Sequence, residues 1–234
     1  MRKRFMSIES GAFSRRRAGF TLVELLVVIG IIAVLAAMIF PASQAIKKSS
    51  YRRKAKAEIE SIATAIESYK AKYNHYPPDR PGNPLVHQLF YELLGTKNEN
   101  GNYVTLDGRE TLAIADLATA FPPPARLDGF VNSTRPAGAD DFSAGRKFLT
   151  DLKPEQFDHV TNGNVRFAVL TTSISWPKDK GPLIAGADAD LNPIRYNSSS
   201  PTNNPKSYDL WVDIVVGGRT NRISNWSDQP EILP

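Results

Sequence analysis

The sequence predicts an α+β fold: one long N-terminal helix, transmembrane in its first half and soluble in its second, packed on a small antiparallel β-sheet head. Three observations predict it. An apolar run from Phe20 to Phe40 carries one charge, Glu24, and about 20 such residues at ~1.5 Å each cover a ~30 Å hydrocarbon core. Helical periodicity then continues, with Ile59, Ile62, Ile66, Tyr69 and Tyr73 recurring at spacings of three and four. Runs of period two follow near the C-terminus, the clearest from Tyr208 to Val216.

Residues 1–19 read as a basic leader. Arg2, Lys3, Arg4, Arg15, Arg16 and Arg17 stand there against one acid, Glu9. The whole chain has 29 bases and 24 acids over 234 residues; removing the leader's six and one leaves 23 of each. The basicity is therefore topological. By the positive-inside rule it keeps the leader cytoplasmic and sends the remainder across the membrane. A neutral remainder gives no support for nucleic-acid binding. A secretory signal has a shorter apolar core followed by its cleavage site; here the processing point, Gly19–Phe20, precedes the run, so the helix is retained.

Residues 20–46 form the transmembrane N-terminal helix, and 47–73 its soluble half, with Lys54, Lys56, Glu58, Glu60, Glu67 and Lys70 as a solvated face of mixed sign. The whole, Phe20 to about Tyr73, reads as roughly 54 residues and ~80 Å. Pro41 lacks the N–H that would bond the carbonyl of Ala37, so a kink is expected there. The turn-rich stretch Asn74 to Pro84 stops the helix and opens a head of residues 74–234. Leu85 to Leu94 reads as a short helix closed by Gly95. Residues from about 96 to 160 read as a long irregular insertion, including Phe121-Pro122-Pro123-Pro124 and Arg135 to Asp141, with a short helix over Glu110–Thr119. Strands are expected over Asn164–Ser173, Pro193–Tyr196 and Tyr208–Val216, then a Gly217-Gly218 turn and a returning strand over Arg222–Trp226. Together these form one antiparallel sheet laid against the helix stripe.

Gly19-Phe20-Thr21-Leu22-Val23-Glu24 and the apolar residues after it resemble the leader junction of type IV pilins and type II secretion pseudopilins. The long helix, the Tyr76-Pro77-Pro78 turn and the second helix are similar to the major pseudopilin, as is the C-terminal series Asn192 to Tyr196, Tyr208 to Trp211 and Ile223 to Trp226. The resemblance implies a type IV pilin-like fold. It implies a prepilin peptidase that cuts after Gly19 and N-methylates Phe20. It implies a single-pass inner-membrane subunit, head periplasmic, that assembles with copies of itself and minor pseudopilins. The remaining partners it implies are an inner-membrane platform with its ATPase and, indirectly, an outer-membrane secretin. A type IV pilin or minor pilin for adhesion, motility or DNA uptake is the alternative within the class; a membrane-tethered enzyme or binding module is the alternative outside it.

Glu24 is the residue with chemistry to explain. A carboxylate in hydrocarbon costs several kcal/mol unless paired, and it either snorkels to the headgroups or pairs with the Phe20 α-amine of a neighbouring copy, an amine that cleavage creates and methylation leaves charged. The joint occurrence of leader, glycine, phenylalanine and glutamate favours the pair. Gly30, Ala33 and Ala37 offer a small-residue seam for helix packing. The absence of cysteine excludes thiol catalysis and iron–sulfur clusters. No cofactor or metal is expected. Asp188-Ala-Asp190-Leu-Asn192 starts like an EF-hand loop, but Pro193 occupies the turn-glycine position and Ser199 the bidentate-glutamate position, so it reads as solvated loop. The calcium site that the resemblance implies near the C-terminus corresponds to Val212–Arg222, which holds one acid and two arginines and does not suit a hard cation. His75, His87 and His159 read as surface or packing residues, and no catalytic constellation appears.

Overall fold

The computed structural model describes residues 19–122, 130–133 and 144–234, and of residues 38–45 the backbone only. The leader's charges, Pro123–Pro124 and Arg135–Asp141 fall outside the described residues. The chain divides into two compact units, Met1–Ile46 and Lys47–Pro234. Its helix α1, Leu22–Tyr73, begins in the first and ends in the second and includes Pro41. It is followed by α2 (Leu89–Leu94), β1 (Thr96–Glu99), β2 (Asn102–Thr105), β3 (Thr111–Ala113), α3 (Leu117–Ala120), β4 (Phe157–Asn162), β5 (Val165–Leu170), β6 (Arg195–Asn197), β7 (Asp209–Val216), β8 (Arg219–Ser224) and β9 (Glu231–Ile232). A long N-terminal helix followed by antiparallel sheets is the α+β, type IV pilin-like plan.

In the first unit the described side chains, Gly19 to Ala37, are almost wholly exposed: Phe20 by 76%, Leu22 by 78% and Leu26 by 60%. Among the described residues no helix is long and apolar enough to cross a membrane. The described side chains end at Ala37, whereas the apolar run of the sequence reaches Phe40.

In the second unit the helical stripe is buried as its spacing dictates. Ala55, Ile59, Ile62, Ala65, Ile66 and Tyr69 lie in one core with α2 and the inward residues of β5, β7 and β8. Burial of such a side chain is worth about 1.5–3 kcal/mol. Glu58 departs from expectation: it lies one residue before Ile59 and is buried rather than on the solvated face, because hydroxyls from the strand-end loop beyond β5 reach its carboxylate.

Helix α2 starts at Leu89, not Leu85. The side-chain and main-chain oxygens of Asn83 accept from the Leu85 and Val86 amides, and the buried His87 ring accepts from the Leu89 amide. These local bonds replace a first helical turn. Gly95 closes α2 at φ 69°, where an added Cβ would lie 2.6 Å from the Arg146 carbonyl oxygen.

Among its described residues the head contains three sheets rather than one. β6-β7-β8-β9 is a meander, and its Gly217-Gly218 turn has positive φ at both residues, as a two-residue hairpin of this twist requires. β4 and β5 form a separate hairpin, joined to the approach to β6 through the Ile194 amide bonding the Leu170 carbonyl (2.9 Å) and the Thr172 amide bonding the Asn192 carbonyl (3.0 Å). β1-β2-β3 is the third sheet, built inside the segment read as irregular insertion. The helix expected over Glu110–Thr119 is a strand in its first part, Leu112 pairing with Tyr103, since Thr105 Oγ1 captures the Glu110 amide (3.0 Å) and extends the chain there. Only Leu117–Ala120 is α-helical. The other expected strands are present with shifted ends.

Candidate functional site

The N-terminal junction is a helix start. Thr21 Oγ1 accepts from the Glu24 amide (3.2 Å), while Glu24 Oε2 accepts from the Thr21 amide (2.9 Å) and the Thr21 hydroxyl (2.8 Å). This is a capping box, two helix-end donors satisfied reciprocally. Glu24 is thus held at the first turn, facing back toward Phe20. The threonine–x–x–glutamate spacing before an apolar run carries that signal in the sequence, where it was read only as part of a processing junction.

Gly19 and Gly30 have open space where a Cβ would lie, and neither has a positive φ. This chain's own fold therefore requires glycine at neither position.

The head carries a different chemistry, which sequence reading missed: carboxylates buried and satisfied from within. Glu58 accepts from Thr172 Oγ1 (2.5 Å), the Ser173 amide (3.3 Å) and the Ser173 hydroxyl, tying α1 to the segment after β5. Asp79 accepts from the Ser198 and Ser199 amides (3.0 and 3.1 Å) and the Ser199 hydroxyl (2.8 Å). Asp209 accepts from the amides of Thr202, Asn203 and Asn204 at 2.8–2.9 Å and from the Asn203 side chain at 3.1 Å. Those two carboxylates organise the whole connection between β6 and β7.

Glu92 on α2 is fully buried and accepts from the Tyr69 hydroxyl (3.0 Å) and from Ser133. Burial pushes its carboxyl up to about 8, and burial with the Glu92 charge raises the Tyr69 phenol. His87 is buried too; desolvation lowers it to about 4 and keeps it neutral. That suits a ring bonded to the Ile194 carbonyl (3.0 Å) by Nε2 and to the Leu89 amide by Nδ1. His159 bonds Glu110 at 2.7 Å, and the Nδ1 of His75 lies 3.1 Å from the Tyr76 carbonyl oxygen.

The Val212–Arg222 hairpin is the stretch that corresponds to a calcium site in the resemblance. Asp213, its single acid, is engaged by Arg222 through two bonds of 2.9 and 3.1 Å and lies 3.6 Å from Arg195. Two guanidinium groups already surround the carboxylate, so the residues present do not fit a hard cation needing several anionic oxygens. Among the described residues no group of three or more His, Asp or Glu is arranged to hold a metal ion. In the EF-hand-like stretch Asp188 is exposed, but Asn192 is buried, contrary to a wholly solvated loop; its Nδ2 donates to the carbonyls of Ile174 and Asp213, both at 3.0 Å.

A pilin-like plan with an exposed apolar helix start thus stands beside a self-satisfied head. Residues 14–40 match the prokaryotic N-terminal methylation motif. The chain is also similar to proteins named type II secretion system core protein G: 39% identical over 72 residues to that of Pectobacterium carotovorum subsp. carotovorum (31% of this chain, 46% of the relative), 37% over 68 residues to that of Aeromonas hydrophila (29% and 48%) and 37% over 67 residues to that of Escherichia coli K12 (29% and 46%). The chain spans about half the length of the curated relatives it matches. No solved structure matches.

Proposed function

We propose that the chain is a structural subunit of a type II secretion pseudopilus, without catalysis of its own. The observation that carries this reading is the helix start. The match to the methylation motif coincides with an apolar helix that its own unit leaves exposed and with a carboxylate fixed one turn from Phe20. A prepilin peptidase cuts after Gly19 and methylates Phe20. The apolar run then anchors the subunit in the inner membrane, N-terminus cytoplasmic and head periplasmic, and Pro41 gives the helix a bend at the end of the span.

Assembly follows from the charge. The cleaved Phe20 amine, pKa near 8, is cationic at pH 7, and Glu24 of the adjoining copy supplies its counter-ion. In hydrocarbon the two charges relieve each other's desolvation only when together. The helices bundle into a filament rooted in the membrane, with minor pseudopilins, the platform protein and its ATPase as assembly partners and the secretin as exit. No cofactor enters this scheme, and the Arg222–Asp213–Arg195 cluster occupies the place where the resemblance implies calcium.

Mass spectrometry of the mature chain tests the reading. An N-terminus at methyl-Phe20 is expected. Recovery of the chain with Met1 attached, or with the apolar run removed, overturns it.

A further inference from the structure

The head carries two concave surfaces, one lined mainly by bases and one mainly by acids. One is a groove of about 340 Å³ between α1 and the chain after β8, lined by Ser49, Arg52, Arg53, Lys56, Asp228 and Gln229 among others, three bases against one acid. Arg53 is held upright by Ser49 Oγ (2.8 Å) and Arg52 by Asn221 Oδ1 (3.0 Å). Exposed Lys47, Lys48 and Lys54 flank it on the same helix. The lysine of the groove, Lys56, is spent on the carbonyls of Ser224 and Ser227, whereas Arg53 is exposed and Arg52 half-exposed.

The other surface is a polar cavity of about 420 Å³ whose wall includes Glu155, Asp158, Asp188, Asp190 and Asn192. Lys178 neutralises Asp190 at 3.3 Å, and Asp158 lies 3.8 Å from the His159 ring. Glu155 and Asp188 have no cationic partner among the described residues. Asn192 lies in the same wall. It is 2% exposed, and while its Nδ2 is bonded twice, its Oδ1 has no partner. That oxygen is itself buried, so an entering cation would meet the carboxylates at the rim, and Asn192 marks only how polar the cavity floor is.

We propose that the basic groove of one copy seats against the acidic cavity of a second copy, with Arg53 entering the cavity rim beside Asp188 and Glu155. The inference rests on the filament reading and supplies it with a head-to-head contact. A chain whose mature part has equal numbers of bases and acids gains nothing in solubility from separating them, whereas two different complementary patches on one molecule make a heterologous contact, which propagates instead of closing as a dimer.

The test uses the full chain, expressed with its assembly machinery, and filament yield as readout. Arg53→Glu and Asp188→Lys are each expected to lower yield about tenfold through like-charge juxtaposition, and the combined variant to recover it; unchanged thermal unfolding of each solubilised chain excludes misfolding. Because the native chain has no cysteine, co-expressed Arg53→Cys and Asp188→Cys copies report the contact directly as a cross-linked pair. Normal filaments from either single reversal overturn the contact and leave the filament reading standing. A loss with Arg53→Glu that Asp188→Lys does not rescue, without cross-linking, also overturns it and assigns the groove to an anionic lipid surface. Cross-linked pairs without filaments uphold the contact and remove the filament reading.

Discussion

The two units of this chain treat polar groups in opposite ways. In Lys47–Pro234 the buried carboxylates are satisfied by amides, hydroxyls and guanidinium groups of the same unit: Glu58 by Thr172 and Ser173, Asp79 by Ser198 and Ser199, Asp209 by four donors, Asp213 by two arginines. In Met1–Ile46 the one carboxylate of the apolar run reaches, among the described residues, Thr21, beside side chains left exposed. An exposed apolar surface of this extent marks an interaction site. These buried carboxylates of the head are completed by its own sequence, and the helix start by something else, for which lipid and neighbouring copies are the candidates under the filament proposal.

The largest effect that sharpens this contrast belongs to Glu24. Glu24→Gln keeps an acceptor for the Thr21 amide, because glutamine serves at the third helical position of a capping box, yet it removes the charge. If the carboxylate is needed by a partner, Glu24→Gln abolishes filaments and leaves the head's unfolding midpoint unchanged. Wild-type filament yield from this variant, seen by electron microscopy of sheared material, breaks the contrast, for Glu24 would then be a cap and nothing more.

Next in size is the head's dependence on its internal carboxylates. Asp209→Ala strands three backbone amides and the Asn203 side chain in the β6–β7 connection. A donor left unsatisfied costs about 1–3 kcal/mol where it is buried, but Thr202 and Asn203 are exposed and Asn204 half-buried. Water therefore replaces part of the loss, and about 1.5 kcal/mol in urea unfolding of the solubilised chain is expected, with assembly affected only through stability. A loss below about 0.5 kcal/mol, the level of exposed substitutions, means that water already serves those amides and that the head is less self-contained than its hydrogen bonds suggest.

How much of this was legible in the sequence differs between the two units for a physical reason. The stripe Ile59, Ile62, Ile66, Tyr69 announces itself because helical spacing and apolarity coincide, and the Gly217-Gly218 hairpin because positive φ demands those residues. Glu58, Asp79, Glu92 and Asp209 did not, since a buried acid is legible only with its donors, and those lie up to 120 positions away, as Ser199 does from Asp79. Strand β4 was missed because Asp158, His159 and Asn162 interrupt its apolar alternation, pairing with β5 being what holds it. The β1–β2 hairpin hid in polar residues, Thr96 to Glu99 offering no periodic signal at all. At the helix start every residue that matters lies within six positions, from Gly19 to Glu24, so the junction was readable; only its capping box was overlooked, one more use of residues already singled out.

The smallest expected effect is a pH slope from Glu92, and it sharpens the contrast from within the head. Glu92 is, among the described residues, the carboxylate that burial raises to about 8, against about 4.3 when unfolded. Between those values the folded chain binds the extra proton, so stability falls as pH rises, by up to ~1.4 kcal/mol per unit, and flattens above 8. His87, lowered to about 4 from about 6.5 unfolded, has the opposite sign: its stabilisation is complete above pH 6.5 and is lost as pH falls toward 4. The two oppose each other in mildly acidic buffer and separate above it. From pH 7 to 8 the Glu92 contribution stands almost alone, and a loss of about 1 kcal/mol is expected in wild type. Glu92→Gln keeps one acceptor oxygen and places an NH2 donor where the second oxygen stood, as the protonated acid would place its O–H. It has no titrating proton, so its stability is expected to be flat over the same interval. Equal slopes in the two chains would show that Glu92 titrates as an ordinary carboxyl, and that water or an undescribed neighbour reaches what is otherwise the most enclosed acid of the head.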